Sequence, residues 1–173
     1  MSKPRLLVCT IVRNARPHLM EWWKLVLYLR RHLRDHYDIE VSVYENDSTD
    51  GSAQWAQENL GVIAADYQMS VIRGSETLGT TQYPSIWNAD RLRNLANARQ
   101  RCLDQAGDLS RFAKIVYVEV DVTYDPEWAA ELILARHPAQ AGIEPHIYSG
   151  WSLRTERHPK ESTYLYDTCA TRQ

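Results

Sequence analysis

The stretch Lys114–Pro126 reads KIVYVEVDVTYDP and joins a predicted β-strand to two acidic side chains. A β-branched and aromatic run, Ile115–Val118, predicts a buried strand. Glu119 and Asp121 follow it, and on a continuing strand they would share one face with Cα atoms roughly 6.5–7 Å apart. Two carboxylates on a covered face repel each other and lose hydration, so a bridging Mg²⁺ or Mn²⁺ would stabilise them. The alternative is a strand end whose two acids face water.

Upstream of this stretch, predicted strands alternate with predicted helices. Leu6–Val12 is a continuous apolar run, as expected for a parallel strand that is covered on both faces. Ile39–Tyr44 and Ser70–Arg73 predict two further strands. Gly74–Asn88 is polar, contains two glycines and a proline, and predicts a long loop of the kind that often binds ligands.

Three helices are predicted between these strands. The first has Pro17 in its first turn and places its apolar side chains, two tryptophans among them, on one core-facing stripe. The stripe consists of Leu19, Trp22, Trp23, Val26, Leu29 and Leu33. The second helix contains Trp55, and we expect it to end at Gly61. The third spans Asp90–Gln105.

Downstream, Asp125 and Pro126 have the chemistry of an N-cap and a first helical position, which predicts a fourth helix. Ala139–Ile143 predicts a short strand, and Tyr164–Cys169 predicts an edge strand. The order of elements predicts an α/β fold with a largely parallel sheet. No glycine-rich phosphate loop is present, so phosphate recognition would depend on a metal ion and arginines.

The composition is that of an ordinary globular protein. The length of 173 residues predicts a single domain over residues 1–173. A net charge of −2 does not favour nucleic acid or an anionic membrane as a partner. Cys9, Cys102 and Cys169 match no metal or disulfide spacing, which predicts reduced core residues in a cytoplasmic protein. The N-terminal apolar run is too short for a signal peptide or a membrane span.

Polar side chains occupy the ends of the first two strands. Arg13 and Asn14 follow the first strand, and Glu45 and Asn46 follow the second. In open α/β sheets, ligands bind at the carboxyl ends of the strands, so we expect these four residues at a binding site. The following segment, Asp47–Ser52, has ordinary turn and helix-capping chemistry.

One arginine of the third helix falls on its apolar side. The stripe consists of Leu92, Leu95, Ala96, Cys102 and Leu103. Arg99 lies at its centre, and a core-facing guanidinium requires an anion. That anion is either a structural carboxylate or a ligand phosphate. Arg91, near the start of the helix, could reach the same place.

Four blocks of this sequence, in order, resemble a GT-A-fold glycosyltransferase: VRNARPHLMEWW, VYENDSTDGS, RLRNLANARQRCL and VYVEVDVTYDP. The chain is most similar to the capsule-associated α-1,3-mannosyltransferases of glycosyltransferase family 69. The family's acidic turn is matched by Glu45, Asn46, Ser48, Asp50 and Gly51. Its helix motif is matched by Arg91, Leu92, Leu95, Ala96, Arg99 and Leu103. Its Tyr-Asp-Thr-Trp segment is matched by Tyr166, Asp167, Thr168 and Cys169.

The chain departs from the family at several positions. Gln100 replaces an asparagine, Cys169 replaces a tryptophan, and Glu119 is displaced by one residue. Asp121 is therefore the first choice for a metal ligand and Glu119 the second. The family also continues beyond the point that corresponds to Gln173. The resemblance thus implies either that an acceptor-side region is missing here or that the protein is a shortened relative.

The resemblance implies a nucleotide-sugar donor, GDP-mannose, a carbohydrate acceptor, a Mn²⁺ or Mg²⁺ cofactor and retention at the anomeric carbon. It places a metal on Asp121, with Arg99 and Arg91 stabilising the charge of the departing diphosphate. It places Asp167 near the acceptor or the metal. The nucleotide-binding residues that it implies are Arg13, Asn14, Glu45, Asn46, Asp50, Arg91 and Arg99.

The sequence is also compatible with two other functions. One is a non-catalytic relative that binds a nucleotide or a glycan without transferring sugar. The other is a nucleotidyltransferase, which shares a related sheet and metal site but normally has a glycine-rich basic loop after its first strand.

Overall fold

The computed structural model describes residues 3–83 and 88–134, together with the backbone of residues 152–154 and 164–166. The chain forms two compact units, Met1–Asp121 and Val122–Gln173. The single domain expected over residues 1–173 stays a prediction.

The first unit is built on a four-stranded, all-parallel sheet with the order β3-β2-β1-β4. Its strands are β1 (Arg5–Val12), β2 (Asp38–Asn46), β3 (Ser70–Glu76) and β4 (Phe112–Tyr117). Its helices are α1 (Leu19–Leu33), α2 (Ser52–Asp66) and α3 (Ala89–Asp104). The predicted α/β fold with a parallel sheet is confirmed, and its architecture is Rossmann-like.

The direction in which successive strands are added to the sheet reverses after β3, because β4 pairs with the free side of β1. Strands β2 and β3 lie on one side of β1, and β4 pairs with its other side. Right-handed crossovers therefore place α3 on the opposite face of the sheet from α1 and α2. A core cluster on the α3 side contains Leu7, Cys9, Tyr44, Ala98 and Cys102. Cys9 and Cys102 are free thiols, as predicted.

Helix α1 supplies the largest buried side chains of the other face. All six residues of its predicted stripe are buried, which confirms that the tryptophans belong to the core. The indole Nε1 of Trp22 donates to the carbonyl oxygen of Val118 at 3.1 Å. The helix begins at Leu19 because Ala15–His18 forms a turn first, closed by a bond from the amide of His18 to the carbonyl of Ala15.

Two predicted strands were too short. Strand β2 continues through Glu45 to Asn46, and β3 continues to Glu76, so three residues assigned to a loop belong to the sheet. The predicted strand ended before Gly74 because glycine usually weakens strands. Here a Cβ at Gly74 would lie 2.2 Å from Oε1 of Gln105, whose Nε2 donates to Ser42 and Val43 of β2. The missing side chain therefore admits the glutamine.

The predicted end of α2 at Gly61 was wrong. The helix runs to Asp66, and Gly61 lies in its interior. The guanidinium of Arg73 occupies the space beside Gly61, 3.1 Å from where a Cβ would stand, and donates to the carbonyl of Gln57 at 2.8 Å. Gly61 therefore allows Arg73 of β3 to pack against α2. A rule for helix ends uses only the local sequence and cannot detect this tertiary contact.

The structure of the stretch Lys114–Pro126 also differs from its prediction. Strand β4 ends at Tyr117, so Glu119 and Asp121 follow the strand and do not share a strand face. Ile115 is 38% exposed, and the strand is only partly buried. In α3 the buried residues are Ala98 and Cys102, whereas Leu92 and Ala96 are exposed. The true apolar stripe is therefore rotated relative to the predicted one, and Arg99 lies at its half-buried margin.

The second unit contains α4 (Pro126–Leu134), β5 (Ser152–Arg154) and β6 (Tyr164–Tyr166). Asp125 caps α4 as predicted, because its Oδ1 accepts from the amide of Trp128 at 2.9 Å. Strand β6 pairs antiparallel with β5. The predicted strand Ala139–Ile143 and the residues Asp167 and Cys169 lie outside the described residues. Among the residues that the structure describes, no helix has both the length and the apolarity to span a membrane.

Candidate functional site at the carboxyl edge of the sheet

Most of the predicted site residues lie at the carboxyl edge of the sheet. Arg13 and Asn14 follow β1, and Glu45 and Asn46 end the neighbouring β2. The register places Val12 opposite Glu45. Because parallel strands present their carboxyl ends at one edge, the fold brings together the strand-end residues that the sequence predicted.

Glu45 is directed into the protein. It is only 3% exposed, and its Oε1 accepts from the amide of Ser48 at 2.8 Å. Its Oε2 accepts from the hydroxyl of Ser75 on β3. The carboxylate therefore joins the turn after β2 to the neighbouring strand, and this role takes up both of its oxygens.

Asn14 and Asp50 connect the loops after β1 and β2. Asn14 has a left-handed backbone (φ 49°), and its Oδ1 accepts from the amide of Thr49 at 2.7 Å. Asp50 accepts from the amides of Arg16 and Ser52 and from the hydroxyl of Ser52. Burial opposes ionisation of Asp50, but the bonds from Ser52 and Arg16 prevail and lower its pKa. Both side chains shape the edge of the site.

Asp47 was not predicted as a site residue, yet it accepts more hydrogen bonds than any predicted site residue that the structure describes. It has a left-handed backbone (φ 55°). Its Oδ1 accepts from the amides of Leu78 (2.7 Å) and Gly79 (2.8 Å). Its Oδ2 accepts from the amide (3.0 Å) and the hydroxyl of Thr80, and from Nδ2 of Asn46 (3.1 Å). One carboxylate thus holds the loop after β3 against the end of β2.

Arg13 strengthens the same contact. Its Nη1 donates to the hydroxyl of Thr80 at 2.9 Å, its Nη2 donates to the carbonyl of Thr80, and Nη2 lies 4.0 Å from Oδ2 of Asp47. Burial alone would raise the pKa of Asp47, but hydrogen bonds from Thr80 and Gly79 outweigh it and hold the pKa well below its usual range. The loop after β3 is therefore attached to both central strands.

Arg99 and Glu119 form an ion pair. Nη2 of Arg99 lies 2.5 Å from Oε1 of Glu119, and the two side chains are 26% and 19% exposed. The hydroxyl of Tyr117 donates to the carbonyl of Arg99 at 2.7 Å. The sequence predicted either a structural carboxylate or a ligand phosphate beside Arg99, and the structure places the carboxylate of Glu119 there. Asp121 is exposed, in the turn after Glu119.

We expect the Arg99–Glu119 pair to couple energetically by about 1–2 kcal/mol, since both groups are partly shielded from water. The test is a double-mutant cycle of Arg99→Ala and Glu119→Ala in urea unfolding. Arg93 and Asp90 provide a control on the same helix, because that pair is 68% and 58% exposed. Its coupling should stay below about 0.5 kcal/mol. Equal coupling in the two cycles would contradict a structural role for Arg99–Glu119.

A groove of about 650 Å³ opens beside this edge, between α3 and the ends of β2 and β3. Tyr44, Asn46 and Glu76 line it from the strands, Leu78 and Thr80 line it from the following loop, and the polar face of α3 closes it. The sequence does not indicate a role for these α3 side chains, because a polar helix face has the same pattern whether it meets solvent or a ligand. Arg91 is half-buried at the start of α3 and is not among the groove's lining residues.

The acidic side chains that the structure describes do not form a preassembled metal site. Within residues 3–83 and 88–134, no three His, Cys, Asp or Glu side chains are grouped so that they could hold a metal ion. Asp121 and Glu119 could offer carboxylates to a Mg²⁺ or Mn²⁺ ion, since Mg²⁺ commonly uses one or two carboxylates together with substrate phosphates.

No curated protein and no solved structure matches this chain. The family model described as Cryptococcal mannosyltransferase 1 matches residues 5–173, which is almost the whole chain and includes both units. The protein with this Rossmann-like sheet and this polar carboxyl edge therefore belongs to the family described as Cryptococcal mannosyltransferase 1.

Proposed function

We propose that this protein is a metal-dependent glycosyltransferase that moves mannose from GDP-mannose to a carbohydrate acceptor, with retention at the anomeric carbon. The observation that carries the proposal is the family match over residues 5–173. The collection of polar strand-end residues at one edge of a Rossmann-like sheet supports it, since this is where nucleotides bind in such folds.

The charges at this edge favour a bound cation. Arg13 lies beside Asp47, and Arg99 pairs with Glu119, so each guanidinium already has a carboxylate next to it. A diphosphate placed here would meet Asp121 as well, which adds repulsion. A Mn²⁺ or Mg²⁺ ion held by Asp121, with Glu119 as a second and weaker ligand, would attract the diphosphate and overcome this repulsion. When bound, the metal would neutralise the charge that develops on the departing diphosphate.

The protein's own residues would provide the remaining functions. Arg99 would orient Glu119 through their ion pair and add positive charge near the diphosphate. Asn14, Glu45, Asp47 and Asp50 hold the loops that surround the nucleotide. Asn46, the last residue of β2, lines the groove beside this edge and would contact the ribose or base. The role of Asp167 in positioning the acceptor stays a prediction.

Thermal unfolding with nucleotides tests the proposal. With GDP at about 100 times its dissociation constant and Mn²⁺ present, the free energy of unfolding should rise by about 2.7 kcal/mol. GDP without metal should produce a much smaller rise, and UDP with Mn²⁺ provides the control for the base. The absence of a shift with either nucleotide, with and without metal, would reject the donor site.

Product analysis then separates the alternatives. Incubation with GDP-mannose, Mn²⁺ and mannosyl acceptors should release GDP and form an α-linked product. Nucleotide binding with neither transfer nor donor hydrolysis would identify a non-catalytic relative. Release of pyrophosphate from a nucleoside triphosphate would instead identify a nucleotidyltransferase.

A further inference from the structure

We propose that Cys9 and Cys102 form a reversible disulfide when a peroxide reaches the core of the protein. The two thiols lie between β1 and α3, beneath the groove that opens beside the carboxyl edge of the sheet. The reaction would take place within the first unit, and it does not depend on the proposed function.

The side chains of Cys9 and Cys102 meet between the sheet and helix α3. Both residues are 0% exposed and belong to one core cluster. The thiol of Cys9 donates a hydrogen bond to the sulfur of Cys102, which places the two side chains in contact. A disulfide requires sulfur atoms about 2.0 Å apart. Two thiols that already touch need only a small local movement of β1 or α3 to reach that distance.

The two thiols are not equivalent. The sulfur of Cys102 lies 3.4 Å from the carbonyl oxygens of Thr10 and Ser42 and from the hydroxyl oxygen of Ser42. The hydrogen bond from Cys9 lowers the pKa of Cys102, although burial opposes this. The same bond, together with burial, raises the pKa of Cys9. Because the thiolate is the reactive form of cysteine, we expect Cys102 to react first with an oxidant.

One layer of side chains separates the thiols from the groove. Tyr44 and Ala98 line the groove and belong to the same core cluster as the two cysteines. Gln105 also lines the groove, and its Nε2 donates to the hydroxyl of Ser42 at 2.7 Å, next to the sulfur of Cys102. Hydrogen peroxide is only slightly larger than water, so a brief local opening of this layer would admit it.

The oxidation balances with hydrogen peroxide as the oxidant. The thiolate of Cys102 attacks one peroxide oxygen, the O–O bond breaks, and hydroxide leaves as the sulfur becomes a sulfenic acid. The sulfur of Cys9 then attacks the sulfur of Cys102, an S–S bond forms, and the sulfenic oxygen leaves as water. The two thiols lose two electrons and two protons in total, and the peroxide is reduced to two molecules of water. An external dithiol reverses the reaction by thiol–disulfide exchange.

The disulfide would act on the part of α3 that carries Arg99. Cys102 follows Arg99 by three residues, so the two side chains are neighbours on the surface of the helix. Cys9 pairs with Tyr117 in the sheet, and the hydroxyl of Tyr117 donates to the carbonyl of Arg99 at 2.7 Å. A bond between the two sulfur atoms would draw this turn of α3 toward β1. We therefore expect oxidation to change the surroundings of Arg99 and of its partner Glu119.

Peptide mapping of the whole chain tests the proposal. The folded protein is treated with hydrogen peroxide, its remaining thiols are alkylated, and the digest is analysed by mass spectrometry without reduction. The Cys9–Cys102 crosslink should exceed each crosslink through Cys169 by at least about tenfold, which corresponds to a preference of about 1.4 kcal/mol. Dithiothreitol should restore both thiols. The amide chemical shifts of Arg99 and Glu119 should change on oxidation and return on reduction.

The same treatment in concentrated urea provides the control. In the unfolded chain, loop closure favours the shorter loop, so Cys102–Cys169 should form more readily than Cys9–Cys102. In the folded protein, Cys169→Ala should leave the Cys9–Cys102 crosslink unchanged, and Cys102→Ala should abolish it.

Four outcomes would overturn the proposal. They are the absence of the Cys9–Cys102 crosslink from the folded protein, a main crosslink through Cys169, the same distribution of crosslinks with and without urea, and unchanged amide shifts at Arg99 after crosslinking. Because the reaction contains no nucleotide, metal or sugar, its result is independent of whether the protein transfers sugar.

Discussion

Replacement of Asp47 by alanine should lower the free energy of unfolding by about 3 kcal/mol at pH 7. The carboxylate accepts from three successive backbone amides and from the hydroxyl of Thr80, and its side chain is only 8% exposed. Its removal also leaves Arg13 without the nearby anion. Urea unfolding measures the change, and amide hydrogen exchange should accelerate first at Leu78–Thr80.

An exposed aspartate serves as the control for this variant. Asp35 is 79% exposed, and Asp35→Ala should change stability by no more than about 0.5 kcal/mol. If Asp47→Ala were as mild as Asp35→Ala, the carboxylate would not be what holds the loop. If stability fell but exchange at Leu78–Thr80 stayed slow, the loss would lie elsewhere in the chain.

The pH dependence provides a second measurement of the same contact. The pKa of Asp47 is lowered in the folded protein, so its contribution to stability is fully present above the unfolded value of about 3.9. That contribution is lost as the pH falls below this value toward the folded pKa. Asp47→Asn does not titrate at this position. The stability difference between wild type and Asp47→Asn should therefore be largest near pH 7 and shrink steadily below about pH 4.

Asp121→Asn should remove the metal-dependent part of the GDP stabilisation and lower kcat/KM for sugar transfer by at least about 100-fold. Asparagine keeps the size of the side chain but removes the charge that would hold a divalent cation. Because Asp121 is exposed, unfolding without ligands should change by no more than about 0.5 kcal/mol. Titration of Mn²⁺ in the presence of GDP, followed by thermal unfolding, separates the metal effect from nucleotide binding.

Two further variants calibrate that result. Glu119→Gln should have a smaller effect on metal dependence than Asp121→Asn, since Glu119 shares its charge with Arg99. Asp66→Asn, at the exposed end of α2, should have none. Asp121→Asn with an undiminished Mn²⁺ response would rule out Asp121 as the metal ligand, and a larger effect of Glu119→Gln would exchange the two roles.

The fold brings the predicted strand-end residues to one edge of the sheet, and their role as a binding site stays a prediction. Glu45 lies at the expected edge, but both of its oxygens hold neighbouring segments in place. Asp47 resembled an ordinary turn residue, although it is the main acceptor for the loop after β3. Its partners lie more than thirty positions along the chain. Hydrogen bonds over that distance leave no periodic signal in a sequence.

The amino-acid sequence by itself determined the alternation of strands and helices, the core face of α1 and the edge at which polar strand ends gather. These features depend on local burial patterns. Apolar side chains recur every two residues along a strand and about every 3.6 residues along a helix, so neighbouring positions are enough to indicate them. Only the tertiary structure decided that Gly74 and Gly61 make room for Gln105 and Arg73, and that Glu119 pairs with Arg99. Those outcomes depend on side chains from separate elements, which meet only when the sheet and its helices pack together.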